Sequence, residues 1–147
     1  MIGTLYPKGL ENILNGTVSI VNGTVKAVLM KETFVFDSSD ENYVNTHECD
    51  DIDYAGEQTL AVTASEITVD DNTIIISTTN TVTTFTVSGT ISGHYCVLYI
   101  EDGIHQKYFA FFDFGGEKSS ENDEFKINWG AKDNKVGQIA EVTISSM

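Results

Sequence analysis

The chain of 147 residues has no arginine, and all eight of its basic residues are lysine. From Glu32 to Gln106 there is no basic residue of either kind. Against these eight stand 22 aspartates and glutamates, for a formal net charge of −14. A nucleic-acid interface needs a basic face that displaces counterions, so the deficit excludes that class of partner. The planar fork that grips phosphate with two parallel hydrogen bonds belongs to arginine, and it too is missing. The acids are expected to form a solvated, self-repelling surface, with docking on a basic partner as the functional alternative.

Cysteine is nearly as scarce. Cys49 and Cys96 lie far apart, without a Cys-x-x-Cys pair or a histidine at metal spacing. They make neither a disulfide framework nor a zinc knuckle, and are expected to be buried small hydrophobes in a chain made in a reducing compartment. No apolar run approaches the ~18 residues of a membrane span. The start, Met1-Ile2-Gly3-Thr4-Leu5-Tyr6-Pro7-Lys8, lacks the charged end and apolar core of a signal peptide. Nor does it fit the myristoylation pattern, which places glycine next to the first methionine. No membrane partner is expected. The two Asn-Gly-Thr triplets that match a glycosylation acceptor are taken as accidental.

Catalytic signatures are missing as well. Asp113-Phe114-Gly115 spells the magnesium-binding triplet of kinases, but no glycine-rich loop or catalytic-loop motif accompanies it. His47, His94 and His105 are isolated, and Gly-x-Ser-x-Gly does not occur. No enzymatic activity and no cofactor are expected. Calcium is the one weak metal possibility. The acid groups Asp37/Asp40/Glu41, Asp50/Asp51/Asp53 and Asp70/Asp71/Asn72 offer oxygens. The stretch from Asp51 to Gly56 opens like a calcium loop, but its fifth and twelfth positions are Ala55 and Val62.

What the chain does have is β-forming sequence. At 41% hydrophobic, it is long enough for one domain with its own core. Leu5–Leu14 is the good helix candidate. Leu5, Gly9/Leu10 and Ile13/Leu14 share a face, Pro7 fits the first turn, and Asn15-Gly16 ends the segment. Asn22-Gly23 predicts a hairpin turn between strands Thr17–Val21 and Thr24–Lys31. Phe34–Phe36 leads into an acidic loop or short helix, Asp37–Asp53. Beyond it, Leu60–Ala64, Glu66–Val69, Thr73–Thr79, Val82–Val87, Ile91–Glu101, Gln106–Phe114, Glu124–Trp129 and Val136–Ile144 read as strands rich in Val, Ile, Thr, Phe and Tyr. Asp71-Asn72, Asn80, Ser88-Gly89, Asp102-Gly103 and Gly115-Gly116 supply the turns. The expected fold is all-β, an antiparallel β-sandwich of jelly-roll type with a short N-terminal helix. Residues 1–16 would form a helical anchoring segment and 17–147 the β-domain.

Two strands lack a polar face. In Gln106–Phe114, Tyr108, Ala110, Phe112 and Phe114 oppose Phe109 and Phe111. In Ile91–Ile100, Ile91, Tyr95, Val97 and Tyr99 oppose Cys96, Leu98 and Ile100. A two-layer sandwich needs only one apolar face per strand. The second face calls for a cover, from the N-terminal helix and loops or from another subunit. Leu5, Tyr6, Leu10, Phe109 and Phe111 are the expected interface residues. Tyr43, Tyr54 and Trp129 are candidate platforms for a sugar ring, although the alternating Phe125-Lys126-Ile127-Asn128-Trp129 favours a core position for Trp129.

Five segments in order carry a resemblance. They are Thr4-Leu5-Tyr6-Pro7-Lys8-Gly9-Leu10, Thr24-Val25-Lys26-Ala27-Val28-Leu29-Met30, Tyr95-Cys96-Val97-Leu98-Tyr99, Phe112-Asp113-Phe114-Gly115 and Phe125-Lys126-Ile127-Asn128-Trp129. Together the chain resembles a family of small virion structural proteins of tailed bacteriophages. It departs from that pattern at Asn122-Asp123-Glu124, where Asn-Gly is usual, and in the 18 residues after Trp129. The resemblance implies a non-enzymatic decoration or cement protein on the capsid surface. Its partners would be the major capsid protein and copies of itself, as a dimer or trimer. The alternatives are a carbohydrate- or host-surface-binding β-module, or a tail or head–tail accessory protein.

Overall fold

Every strand pair among the described residues is antiparallel. The computed structural model describes residues 3–86, 88–129 and 138–143. In chain order the elements are β1 (Thr4–Leu5), α1 (Pro7–Leu14), β2 (Thr24–Met30), β3 (Gln58–Leu60), β4 (Ile67–Asp70), β5 (Thr73–Ser77), β6 (Val82–Thr84), β7 (Ser92–Asp102), β8 (His105–Ser119), β9 (Lys126–Asn128) and β10 (Gln138–Thr143). A short 3-10 turn, Ala64–Glu66, precedes β4. The large sheet runs β1-β8-β7-β2-β3; a smaller one runs β10-β5-β4, and β6 and β9 form a two-stranded ribbon. The result is the antiparallel β-sandwich with one short helix that the sequence predicts.

One face of the large sheet meets the smaller sheet and the ribbon. Val25, Ala27 and Leu29 of β2 and Cys96, Leu98 and Ile100 of β7 enter this core with Phe85, Phe125, Ile127, Trp129 and Ile139. The alternate residues, Val28 and Met30 of β2 and Val97 and Tyr99 of β7, point to the opposite face. That second face is covered by the chain itself. Phe34 and Phe36 just before the acidic segment, Tyr43 within it and Tyr6 from the N-terminus pack there. Tyr43 stacks on Tyr99 with ring centres 3.9 Å apart, and Phe36 stacks on Phe111 at 4.9 Å. Main-chain bonds hold the cover in place: Tyr43 N–H donates to Gln106 at 2.9 Å and Tyr108 N–H to Glu41 at 2.9 Å. The acidic segment is therefore a lid with an aromatic underside, and no second subunit is needed to bury this face.

Alternation along β8 breaks once. Leu98 faces Ala110 and Tyr99 faces Tyr108, which leaves Phe109 as the extra residue of a bulge. Phe109 consequently joins Ala110 and Phe112 in the main core, while Tyr108 and Phe111 belong to the lid side. The strict alternation read from the sequence placed Phe109 with Phe111, and the bulge corrects it. A second irregularity lies at Gly115-Gly116. Gly93 faces Lys118 whereas Tyr95 faces Asp113, so β8 carries extra residues here before its ladder resumes. Both glycines have positive φ, 77° and 141°. The expected turn here is an irregularity inside one 15-residue strand.

Two further expectations change. Thr17–Val21 forms no strand. Val18 N–H donates to the carbonyl of Asn12 at 3.1 Å and Ser19 N–H to the Asp102 carboxylate at 2.8 Å, so these donors are already taken. On α1, Gly9 and Asn12 are the buried positions and Leu14 is 78% exposed. Gly9 turns inward because it alone admits the β8 backbone, and this rotates the apolar face away from Leu14. The predicted strands Val82–Val87 and Val136–Ile144 are seen as β6 and β10; Val87, 136, 137 and 144 lie outside the described residues.

Candidate interaction surfaces

A cleft of about 910 Å³ lies between β8 and β9. One wall is Phe111–Phe114 with Lys118 and Ser119, and Thr4 of β1 closes its end; the other is Glu124–Asn128. Its base is aromatic. Phe114 sits 6.2 Å from Phe125, and Phe112 meets Trp129 edge-on at 5.4 Å. Its rim is charged: Asp113, Glu121 and Glu124 against Lys118 and Lys126. Lys126 is already paired with Glu124 at 2.8 Å, and Asp113 accepts the Gly115 N–H at 2.8 Å.

Both walls are strand edges. In the ribbon, Phe85 N–H donates to Phe125 and Trp129 N–H donates to Thr81, each at 2.9 Å. Antiparallel ladders bond through every second residue, so Ile127 bonds Thr83 while the amides of Lys126 and Asn128 face away from β6. On β8, β1 covers only Ala110 and Phe111. Among the described residues, no strand pairs with the outer edge of β8 beyond Phe111.

The five expected interface residues divide. Tyr6 and Phe109 are fully buried within the protomer and expose no side chain, so their assignment to an interface is corrected. Tyr6 stacks on Tyr108 at 4.8 Å, and Phe109 is the bulge residue facing the core. Leu5 and Phe111 are half-buried against the two cores. Phe111 also lines the cleft, and Leu10 opens on a surface groove shared with Pro7, Glu11, Leu14 and Asn15. The expected N-terminal anchoring segment is tied to the sheet over its described start. Thr4 and Leu5 pair with β8, and Tyr6 N–H donates to the Phe109 carbonyl at 2.9 Å.

The candidate sugar platforms are spent on the fold. Trp129 is fully buried, and its indole N–H donates to Thr83 Oγ1 at 2.7 Å. Glu48 accepts both the Tyr43 hydroxyl, at 2.7 Å, and the Tyr54 hydroxyl, at 2.8 Å. Tyr54 in turn accepts the Leu29 N–H at 3.2 Å. Burial raises the pKa of all three tyrosines, Tyr6, Tyr43 and Tyr54, and the nearby Glu48 carboxylate adds to it at the last two. Burial also pushes the Cys49 thiol up to about 11 and raises that of Cys96 further; both are free thiols in the core.

The acid groups do not gather. Among the described residues no set of three or more His, Cys, Asp or Glu side chains is placed to hold a metal ion. Asp37 accepts the N–H and hydroxyl of Ser39, which lowers its pKa. Asp51 accepts the Ser92 N–H at 3.0 Å, pinning the loop that carries Ile52. Asp102 does the same for Ser19 beside the hairpin that carries Ile104. Ile52 and Ile104 are 97% and 95% exposed, at opposite ends of β7. Sequence reading missed this pair because nothing in their neighbours marks an exposed isoleucine. No described helix is long and apolar enough to cross a membrane. No family model, curated protein or solved structure matches the chain.

Proposed function

We propose that the chain is a structural component of a phage virion, a decoration or cement protein bound in many copies to the capsid surface. One observation carries this reading: the five segments of the resemblance are mutual neighbours in the fold. Thr4 and Leu5 pair with Phe111 and Ala110 beside Phe112, Lys26–Met30 of β2 pair with Tyr95–Tyr99, and Cys96 pairs with Phe112. Trp129 packs on Phe112. Five scattered strings would be weak; five strings that build one sheet and the strand packed over it support a common fold.

The surface suits such a role. A strand of 11 residues spans about 35 Å, so Ile52 and Ile104 stand far apart on one rigid body. Burying an isoleucine contributes roughly 2 kcal/mol, a useful increment at each of two contacts on neighbouring capsid subunits. Leu10 and Leu14 add a third apolar contact on α1. Because the second sheet face is already covered, the bridging works through these points and not through a broad dimer face. A formal charge of −14 leaves the outward surface well solvated.

The test is co-sedimentation of the purified chain with capsids stripped of it. Saturable binding at a fixed ratio to the major capsid protein is expected, weakened by Ile52→Asp, Ile104→Asp or Leu14→Asp. A chain that stays in the supernatant at all concentrations would sink the reading. The sugar-binding alternative loses support, since Trp129, Tyr43 and Tyr54 are committed to packing and to Glu48.

A further inference from the structure

We infer that the cleft between β8 and β9 is a strand-acceptor groove for an extended, basic polypeptide segment from another protein. The cleft offers what an added strand needs. Each wall presents main chain without a ladder partner among the described residues: β9 at Lys126 and Asn128, and β8 beyond Phe111. Unpaired strand edges are templates for another strand. Between them lies an apolar base, with Phe112 and Ile127 buried and Phe114 half-buried against Phe125. Alternate side chains of an inserted strand would rest on this base, and the intervening ones would reach the charged rim.

Charge selects the occupant. The rim carries three carboxylates, Asp113, Glu121 and Glu124, against two ammonium groups, Lys118 and Lys126. The whole chain carries −14. A second copy would bring another −14 to the contact, whereas a lysine- or arginine-bearing segment is attracted over the same distance. The irregularity at Gly115-Gly116 interrupts the register of the β8 edge. It limits the paired stretch to a few residues, which suits a short segment better than a whole sheet. This inference does not depend on the virion reading.

The experiment uses the full-length chain and a displayed library of random linear peptides. Selection is expected to enrich peptides with alternating apolar residues and net positive charge. Hydrogen exchange at the Lys126 and Asn128 amides should slow when such a peptide binds, while the Ile127 amide, already bonded to Thr83, stays unchanged. Asn128→Pro removes an outward N–H without touching the β6 ladder and should weaken binding at least about tenfold. Asn128→Ala keeps the N–H and should bind within about twofold of the parent. Near-UV circular dichroism checks that both variants keep the fold. Three results would overturn the inference: no enrichment above background, enrichment of acidic peptides, or equal binding to Asn128→Pro with the Lys126 and Asn128 amides unprotected. Concentration-dependent self-association that Asn128→Pro abolishes would overturn the choice of occupant, making it a second copy.

Discussion

A β-carbon placed on Gly9 would lie 2.2 Å from the carbonyl oxygen of Tyr108. The helix therefore rests directly on the backbone of β8 at the bulge. This contact ties the N-terminal segment to the central strand, and it explains why a helix-weakening glycine occupies a buried position on α1.

Gly9→Ala should accordingly destabilise the fold. In an exposed helix the change would gain about 1 kcal/mol. Here the clash is with backbone, and overpacking costs of about 1–3 kcal/mol outweigh the gain. A lower urea midpoint with an unchanged slope is expected. A raised midpoint would show that α1 slides freely over β8.

Glu48 is the staple between the acidic lid and the sheet. Glu48→Ala releases the Tyr43 and Tyr54 hydroxyls and should cost about 2 kcal/mol. Limited proteolysis should then cut first within residues 37–50, where the parent resists. Double-mutant cycles with Tyr43→Phe and Tyr54→Phe should show coupling to both rings; additive effects would deny the shared contact.

Thr83→Val retains size but leaves the Trp129 indole N–H without its acceptor, 2.7 Å away in the parent. A loss of about 1–3 kcal/mol is expected in denaturant titration. Thr83→Ser keeps the oxygen and should recover most of it. Equal stability of the valine and serine variants would remove the hydrogen bond from the account.

Stability should fall at alkaline pH. Burial raises the Cys49 thiol from 9.0 to about 11 and raises Tyr6, Tyr43, Tyr54 and Tyr99 above 10.0. Above their ordinary values the unfolded chain loses these protons while the folded chain keeps them. Protonated groups then favour the native state, and the stability present below pH 9 declines through 9 to 11. Urea midpoints measured across that window check the sign. A midpoint that rises would mean that the native state ionises first.

Much of this architecture was legible from alternation and turn residues. β2, β5, β7 and β9 fall within one or two residues of their expected bounds, because each alternates or is flanked by Gly, Asn or Asp. The Phe109 bulge was not legible: nothing in Tyr108-Phe109-Ala110 marks an extra residue, and only the docking of Tyr6 and Gly9 specifies it. The acidic lid was hidden for a similar reason. Its charges dominate the composition of residues 37–53, while three aromatics, Phe34, Phe36 and Tyr43, decide where it packs. The cleft depends on which strands end up without neighbours, a property of topology that local sequence does not carry.

Quantitative mass spectrometry of gradient-purified particles from the source tests the central claim most directly. The virion reading predicts this chain in a fixed stoichiometric ratio to the major capsid protein, retained through purification. Its absence from the particles, with the chain recovered in the soluble lysate, would contradict that reading.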